Sequence, residues 1–193
     1  MTTLQQRREE RRRLLLSNGV ALLGAPGGPA VSVRAVCRAA SLTERYFYES
    51  FTDRDEFVRA VYADVGEAGR GALLAAVAAA GSDRERAEAA VDAFVKLMVD
   101  DPAMGRVLLV APMSEPALGG RGLELMPGFV GLVHSQLSSI EDDVEKQLVA
   151  VGLVGALTNL FIGYLDNSIV ASRAQLVTHC VSLVMEANRS DRR

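Results

Sequence analysis

Arg45, Tyr46 and Tyr48 lie within four residues of one another and are framed by Phe47 and Phe51. On a helix running from Glu44 to about Ser50, the two phenylalanines fall four residues apart and share the inward face. Thr43, Arg45, Tyr46, Tyr48 and Glu49 are then left outside. A guanidinium displayed this way can donate two parallel hydrogen bonds to an acceptor pair such as guanine O6 and N7, and a tyrosine can meet a thymine methyl or a sugar. The rest of the reactive inventory is thin. His179 and Cys180 are adjacent and point about 100° apart on a helix, a poor chelating pair. Asp142 and Asp143 splay apart for the same reason. There is no Gly-x-Ser-x-Gly, no His-Glu-x-x-His and no dinucleotide fingerprint. The expectation is a non-enzyme without metal or cofactor.

The elements that must position these side chains are helices. A charged run from about Gln6 turns apolar at Leu16, Val20 and Leu23, then stops at Gly24-Ala25-Pro26-Gly27-Gly28-Pro29. No Lys-Ser/Thr follows those glycines, so they read as a turn and not as a phosphate loop. Ser32 is placed to cap a short helix over 33–40, and Ser41-Leu42 breaks it. Thr43 is placed to cap the next helix, and Thr52-Asp53 leads into a longer one carrying Phe57, Val61 and Val65. Short helices joined by a tight turn and followed by a long one describe a helix-turn-helix unit.

The stretch from Ser32 to Phe57 resembles the DNA-binding signature of the TetR family of transcriptional regulators. Ser32, Val36-Cys37, Ala40-Ser41-Leu42, Phe47-Tyr48, Phe51, Arg54 and Phe57 occupy the family's places. Ser41 stands where the family has a turn glycine, Cys37 where it has alanine and Arg54 where it has lysine. The resemblance implies an all-α chain of about nine helices. Residues 1–56 would form the helix-turn-helix head and residues 57–193 a helical effector-binding and dimerisation body. It also implies a DNA-contacting set of Ser32, Arg34, Thr43, Arg45, Tyr46, Tyr48 and Arg54, with Tyr48 and Arg54 on phosphates. The partners implied are a double-stranded, palindromic DNA operator, a second copy of the chain and an apolar or amphipathic small-molecule effector that releases a repressor from that operator.

Charge agrees with this division. Of 193 residues, 49% are hydrophobic and 23% charged, for a net of −3. Residues 1–60 hold ten arginines and seven acids, a net of +3, while residues 61–193 carry −6. A basic head on an acidic body suits a nucleic-acid module attached to another function. The run Arg7, Arg8, Arg11, Arg12 and Arg13, interleaved with Glu9 and Glu10, reads first as a salt-bridged exposed helix and second as an arm along the phosphates. The charged start and the lack of a disulfide framework predict a cytoplasmic protein with no leader. The segment from Gln147 to Leu165 carries no formal charge and approaches the length of a membrane span, yet a helix buried all round in protein has the same pattern. No membrane partner is expected.

In the body, helices are expected over 82–100, 101–111, 123–139, 141–166 and 173–188, with 112–122 as a loop. Gly152, Gly155, Ala156, Asn159 and Gly163 form a stripe that permits close helix approach. With Leu176, Cys180 and Val184 of the last helix, they are the expected dimer interface. Met98, Met104, Met113 and Met126 cluster in sequence, and methionine suits surfaces that accept varied apolar ligands. With Phe94, Phe129, Val133, His134, Asn159 and Tyr164 they make the expected ligand site, with Gly119-Gly120-Arg121-Gly122 as its entrance. Two other readings stay open: a small-molecule binding protein whose helix-turn-helix no longer binds DNA, and a helical-bundle enzyme working through His134.

Overall fold

The structure, a computed structural model, describes residues 3–27, 31–119 and 121–189, with the backbone alone for 121–123. It is helical, with no strand among the described residues. The order is α1 (Thr3–Leu23), α2 (Val33–Ala39), α3 (Glu44–Tyr48), α4 (Arg54–Ala78), α5 (Asp83–Met98), α6 (Pro102–Leu109), α7 (Ala111–Ser114), a 3₁₀ turn (Pro116–Leu118), α8 (Arg121–Gln136), α9 (Asp143–Leu165) and α10 (Arg173–Ala187). The helix starts follow local chemistry. Ser32, Asp53, Asp101 and Asp142 accept from first-turn amides, while Ser82 with Glu85 and Ser172 with Gln175 close capping boxes. Thr43 occupies the N-cap of α3 but makes no side-chain cap bond.

Three differences from the expected layout have simple causes. The segment 112–122 is not a loop. Pro112 and Pro116 each sit in a first turn, where a missing N–H costs nothing, so they start α7 and the 3₁₀ turn instead of ending order. Arg121 and Gly122 already belong to α8, and Pro127 lies inside that helix. Helix α4 continues through its Ala- and Gly-rich half to Ala78. Gly28 and Pro29 of the expected turn, and Gly120 of the expected entrance, lie outside the described residues.

The core explains how the head is held. Phe47, Phe51 and Phe57 pack as a mutually tilted trio with ring centroids 5.1–5.4 Å apart. Leu15, Val36, Val58 and Val61 close around them, all under 2% exposed. The same buried cluster runs on without a break to Met98, Val107 and Leu118 of the body. Helix α4 carries it across, so head and body share a hydrophobic core and cannot move independently without exposing it. A second cluster joins α8 to α9, and a third joins α5 to α9 and α10.

The turn between α2 and α3 shows what the serine at its hinge costs. Leu42 N–H donates to Cys37 O at 2.9 Å and Ser41 N–H to Arg38 O at 3.2 Å, a Schellman closure of α2. That closure places Ser41 at φ +53°, in the left-handed region. A non-glycine residue there is strained by about 1–2 kcal/mol. Glycine would relieve this but gain about 0.4–1 kcal/mol of unfolded-state entropy. Ser41→Gly should therefore stabilise the protein by about 0.5–1 kcal/mol, measured as a higher urea midpoint at unchanged slope.

Candidate functional site

The outer face of the head is built by α2 and α3 standing on the aromatic trio. Arg34 and Arg45 are extended, with side chains 89% and 85% exposed, and their acidic neighbours Glu44 and Glu49 lie at 3.4 and 3.6 Å. Such exposed pairs hold a side chain only loosely. Ser32, Thr43 and Tyr48 are exposed as well. Tyr46 is half-buried, because Arg11 of α1 lies 4.3 Å above its ring and also reaches Glu49 at 3.2 Å. Arg12 stacks on Phe51 at 4.7 Å. Part of the basic run in α1 therefore braces the head, and α1 stays helical from Thr3 onward.

Arg54 is the exception within the expected DNA-contacting set. Its Nε donates to Val31 O at 2.8 Å, Nη1 to Asp55 at 2.8 Å, and Nη1 and Nη2 to the two oxygens of Glu115 at 2.9 and 2.6 Å. Four of the five guanidinium N–H donors are thereby taken within the chain, leaving one for the expected phosphate contact. The side chain clamps the strand-like lead into α2 to the turn after α7. Glu115 is held below the usual carboxylate range by its hydrogen bonds from Arg54. A carboxylate whose folded pKa is depressed contributes stability above its unfolded pKa, near about 4.3. That contribution fades as the pH falls through the folded value. Glu115→Gln should cost about 1–2 kcal/mol at neutral pH, the loss of charge assistance in a partly shielded pair. It should also flatten the acid limb of the stability–pH curve. An unchanged acid limb would show that the clamp adds nothing.

The body encloses a cavity of about 520 Å³. It runs beside α4 from Tyr62 to Val77, fifteen residues or about 22 Å of helix. Phe94, Met113, Met126, Phe129 and Val133 of the expected ligand site line it, with Met113 exposed at the surface. The other five do not. Met98 is fully buried in the core shared with the head, and Met104 packs against that same core. His134 points outward to Asp143 at 3.2 Å. Asn159 is exposed on α9 and donates to Gly155 O at 2.9 Å. Tyr164 packs in the cluster between α5, α9 and α10. Tyr62 is a lining residue that the sequence reading did not name, since it lies off the Phe57, Val61 and Val65 stripe and nothing local shows what it faces.

The expected dimer surface divides in two. On α9, Gly152, Ala156 and Asn159 are exposed, and open space lies where a Cβ of Gly152 or Gly155 would be. Val144, Leu148 and Val151 extend that outward face. The remaining residues turn inward. Gly163 is pressed against Ile169, Leu176 and Cys180 are buried in the cluster shared with α5, and Val184 lines the cavity. The cause is that α5 takes up the apolar arc of α10, leaving Gln175, Thr178, His179, Ser182 and Glu186 outside. Burial pushes the Cys180 thiol up to about 11, so it is an inert core residue. Among the described residues, α9 alone is long and apolar enough to cross a membrane by length and composition.

Among the described residues the chain is all-helical, with a helix-turn-helix head and a helical body around an apolar cavity. In particular, the chain has the fold of the TetR-family transcriptional regulators. The fatty acid degradation regulator FadR from Bacillus halodurans superposes with a TM-score of 0.77 at 13% identity, over 90% of this chain and 94% of that one. A TetR family transcription regulator from Marinobacter aquaeolei VT8 gives 0.71 at 18% identity, over 95% and 97%. A TetR-like transcriptional regulator from Rhodococcus sp. RHA1 gives 0.69 at 20% identity, over 92% and 93%. No protein-family model and no curated protein matches the sequence.

Proposed function

We propose that this chain is a cytoplasmic TetR-type transcriptional repressor that binds a palindromic operator as a homodimer and is released from it by a small apolar or amphipathic effector. Residues 1–56 serve as the DNA-contacting head and residues 57–193 as the body, with α4 common to both in mechanical terms. The observation that carries this reading is the exposed α2–α3 face, Arg34, Thr43, Arg45 and Tyr48, on a fold shared along nearly the whole chain with transcriptional regulators. Arg45 reads a base edge, and Arg34, Tyr48 and the hydroxyls of Ser32 and Thr43 position the backbone.

The small-residue stripe of α9 supports dimerisation, because exposed glycines and Ala156 let a second copy approach closely. In the pair, Val144, Leu148 and Val151 leave water, which accounts for an apolar helix that a single chain leaves largely uncovered. The cavity supports the effector, which acts only through its different affinity for the two head arrangements. Selection of random duplex DNA on the purified protein at two salt concentrations tests the reading. The expected result is an enriched palindrome with half-sites about 34–36 Å apart. Weak, steeply salt-dependent and sequence-blind binding would replace it with a ligand-binding protein whose head does not read DNA.

A further inference from the structure

The polar groups around the cavity are unequal. At the end where α5 begins and α8 and α10 finish, Arg86 is ion-paired with Asp83. Asp83 also accepts from Ser138 Oγ and from Asn188 Nδ2, each at 3.3 Å. That cluster is satisfied within itself, and its cation already has a counter-ion. Tyr62 differs. The residue is 4% exposed and lines the cavity, and among the described residues its hydroxyl has no hydrogen-bond partner. No side-chain nitrogen or oxygen among those residues is fully enclosed without a partner, so the hydroxyl borders open space. The open space beside it is the cavity.

Burial, with the nearby negative charge of Glu124 adding to it, pushes this hydroxyl up to about 12. At neutral pH it is an O–H donor awaiting an acceptor, inside walls made of Phe94, Phe129, Leu108 and Leu125. A donor with no protein partner that faces a cavity between apolar walls makes a selector, because a ligand that supplies the acceptor can fill the cavity without leaving the hydroxyl unpaired. An anionic head group has no matching site. Among the described lining residues the cation is Arg86, and it is already neutralised by Asp83. Burying a carboxylate between apolar walls without a partner is costly.

We infer that the cavity takes a neutral, elongated, apolar molecule whose single carbonyl-type oxygen accepts a hydrogen bond from the Tyr62 hydroxyl, and that it discriminates against carboxylates of the same length. This deepens the effector reading and rests on the cavity being the effector site. The length fits, since about 22 Å of α4 flanks the cavity, and its volume lies in the range of small-molecule sites.

The test is calorimetric titration of the full chain and of Tyr62→Phe with 2-tridecanone and with dodecanoate, at one pH and salt. Wild type should bind the ketone at least about tenfold more tightly than the carboxylate. Tyr62→Phe should weaken the ketone about five- to tenfold, the worth of one hydrogen bond, and leave dodecanoate unchanged. Because the hydroxyl has no protein partner, the variant should keep the wild-type melting temperature without ligand; were it to misfold, the ketone-to-carboxylate ratio of wild type decides alone. Carboxylate binding as tight as ketone binding, or a ketone affinity indifferent to Tyr62→Phe, would overturn this inference while leaving the cavity as a ligand site. Binding of neither probe to wild type would overturn the effector cavity as well. Both outcomes are independent of whether DNA selection succeeds.

Discussion

Gly105→Ala should lower the stability of the protein by about 3 kcal/mol or more, the upper range for overpacking a closed site. A Cβ at this position of α6 would overlap the carbonyl oxygen of Met98, with the Met98 carbonyl carbon at 3.0 Å and Leu165 Cδ1 at 2.9 Å. The obstacle is backbone, at the end of α5, and cannot turn aside like a side-chain tip. Relief would need α6 to move, yet α6 is held from its other side as well. A Cβ on Gly24 would collide with the backbone of Ala103, and Arg106 Nε donates to Gly24 O at 2.7 Å. For a domain of this size the loss corresponds to a fall in melting temperature of about 6–12 °C. Gly71→Ala supplies the opposite sign. It lies on the exposed face of α4 with nothing within 4 Å of the added methyl, so the substitution should stabilise by about 0.5–1 kcal/mol through helix propensity. Thermal melts of the two variants side by side decide the matter. A mild Gly105→Ala would mean that α6 has room to shift, and so that the packing between α1, α6 and the end of α5 is looser than the structure indicates.

That prediction marks the boundary of what sequence could supply. The helix starts at Ser32, Ser82 and Asp101 were readable because a cap is a local event, settled by a hydroxyl or carboxylate and the next three amides. The inward pairing of Phe47 with Phe51 was readable from helical phase alone. The length of α4 was not, because its second half alternates Ala and Gly with Leu and Val and carries no stripe. It is helical because α5 packs along it. The order within 112–122 was missed because proline breaks a helix interior but begins a helix well. The Arg54–Glu115 clamp joins residues 61 apart, and nothing in either neighbourhood names the other. Methionine identity does not say where the side chain goes, and only the packing shows that Met126 faces a void, Met98 fills the core and Met113 lies exposed at the cavity's rim. The apolar arc of α10 was assigned to a partner subunit because α5 could not be seen to cover it.

Arg45→Ala should weaken binding to the selected operator by about 1–3 kcal/mol per half-site, and by up to twice that in a dimer engaging both halves symmetrically. The argument begins with exposure. Arg45 is held only by Glu49 at 3.6 Å across a solvent-exposed gap, so little must be broken before its guanidinium turns to a base. It projects from a helix of five residues whose inward side is fixed by Phe47, fully buried against Phe51 and Phe57. The side chain is mobile but its root is rigid, which is the arrangement that base readout needs. Its loss should relax preference at one base pair in each half-site while leaving the slope of affinity against salt nearly unchanged. Arg34→Ala should do the reverse, weakening all sequences alike and reducing the salt slope by about one per half-site. Measuring both variants on the operator and on a scrambled duplex, across a range of salt, separates the two roles. If Arg45→Ala weakens both duplexes equally, Arg45 is a phosphate contact and base readout must be sought among Thr43, Tyr46 and Tyr48. If it weakens neither, α3 does not read the groove, and the fold has kept the architecture of a regulator without its DNA contact.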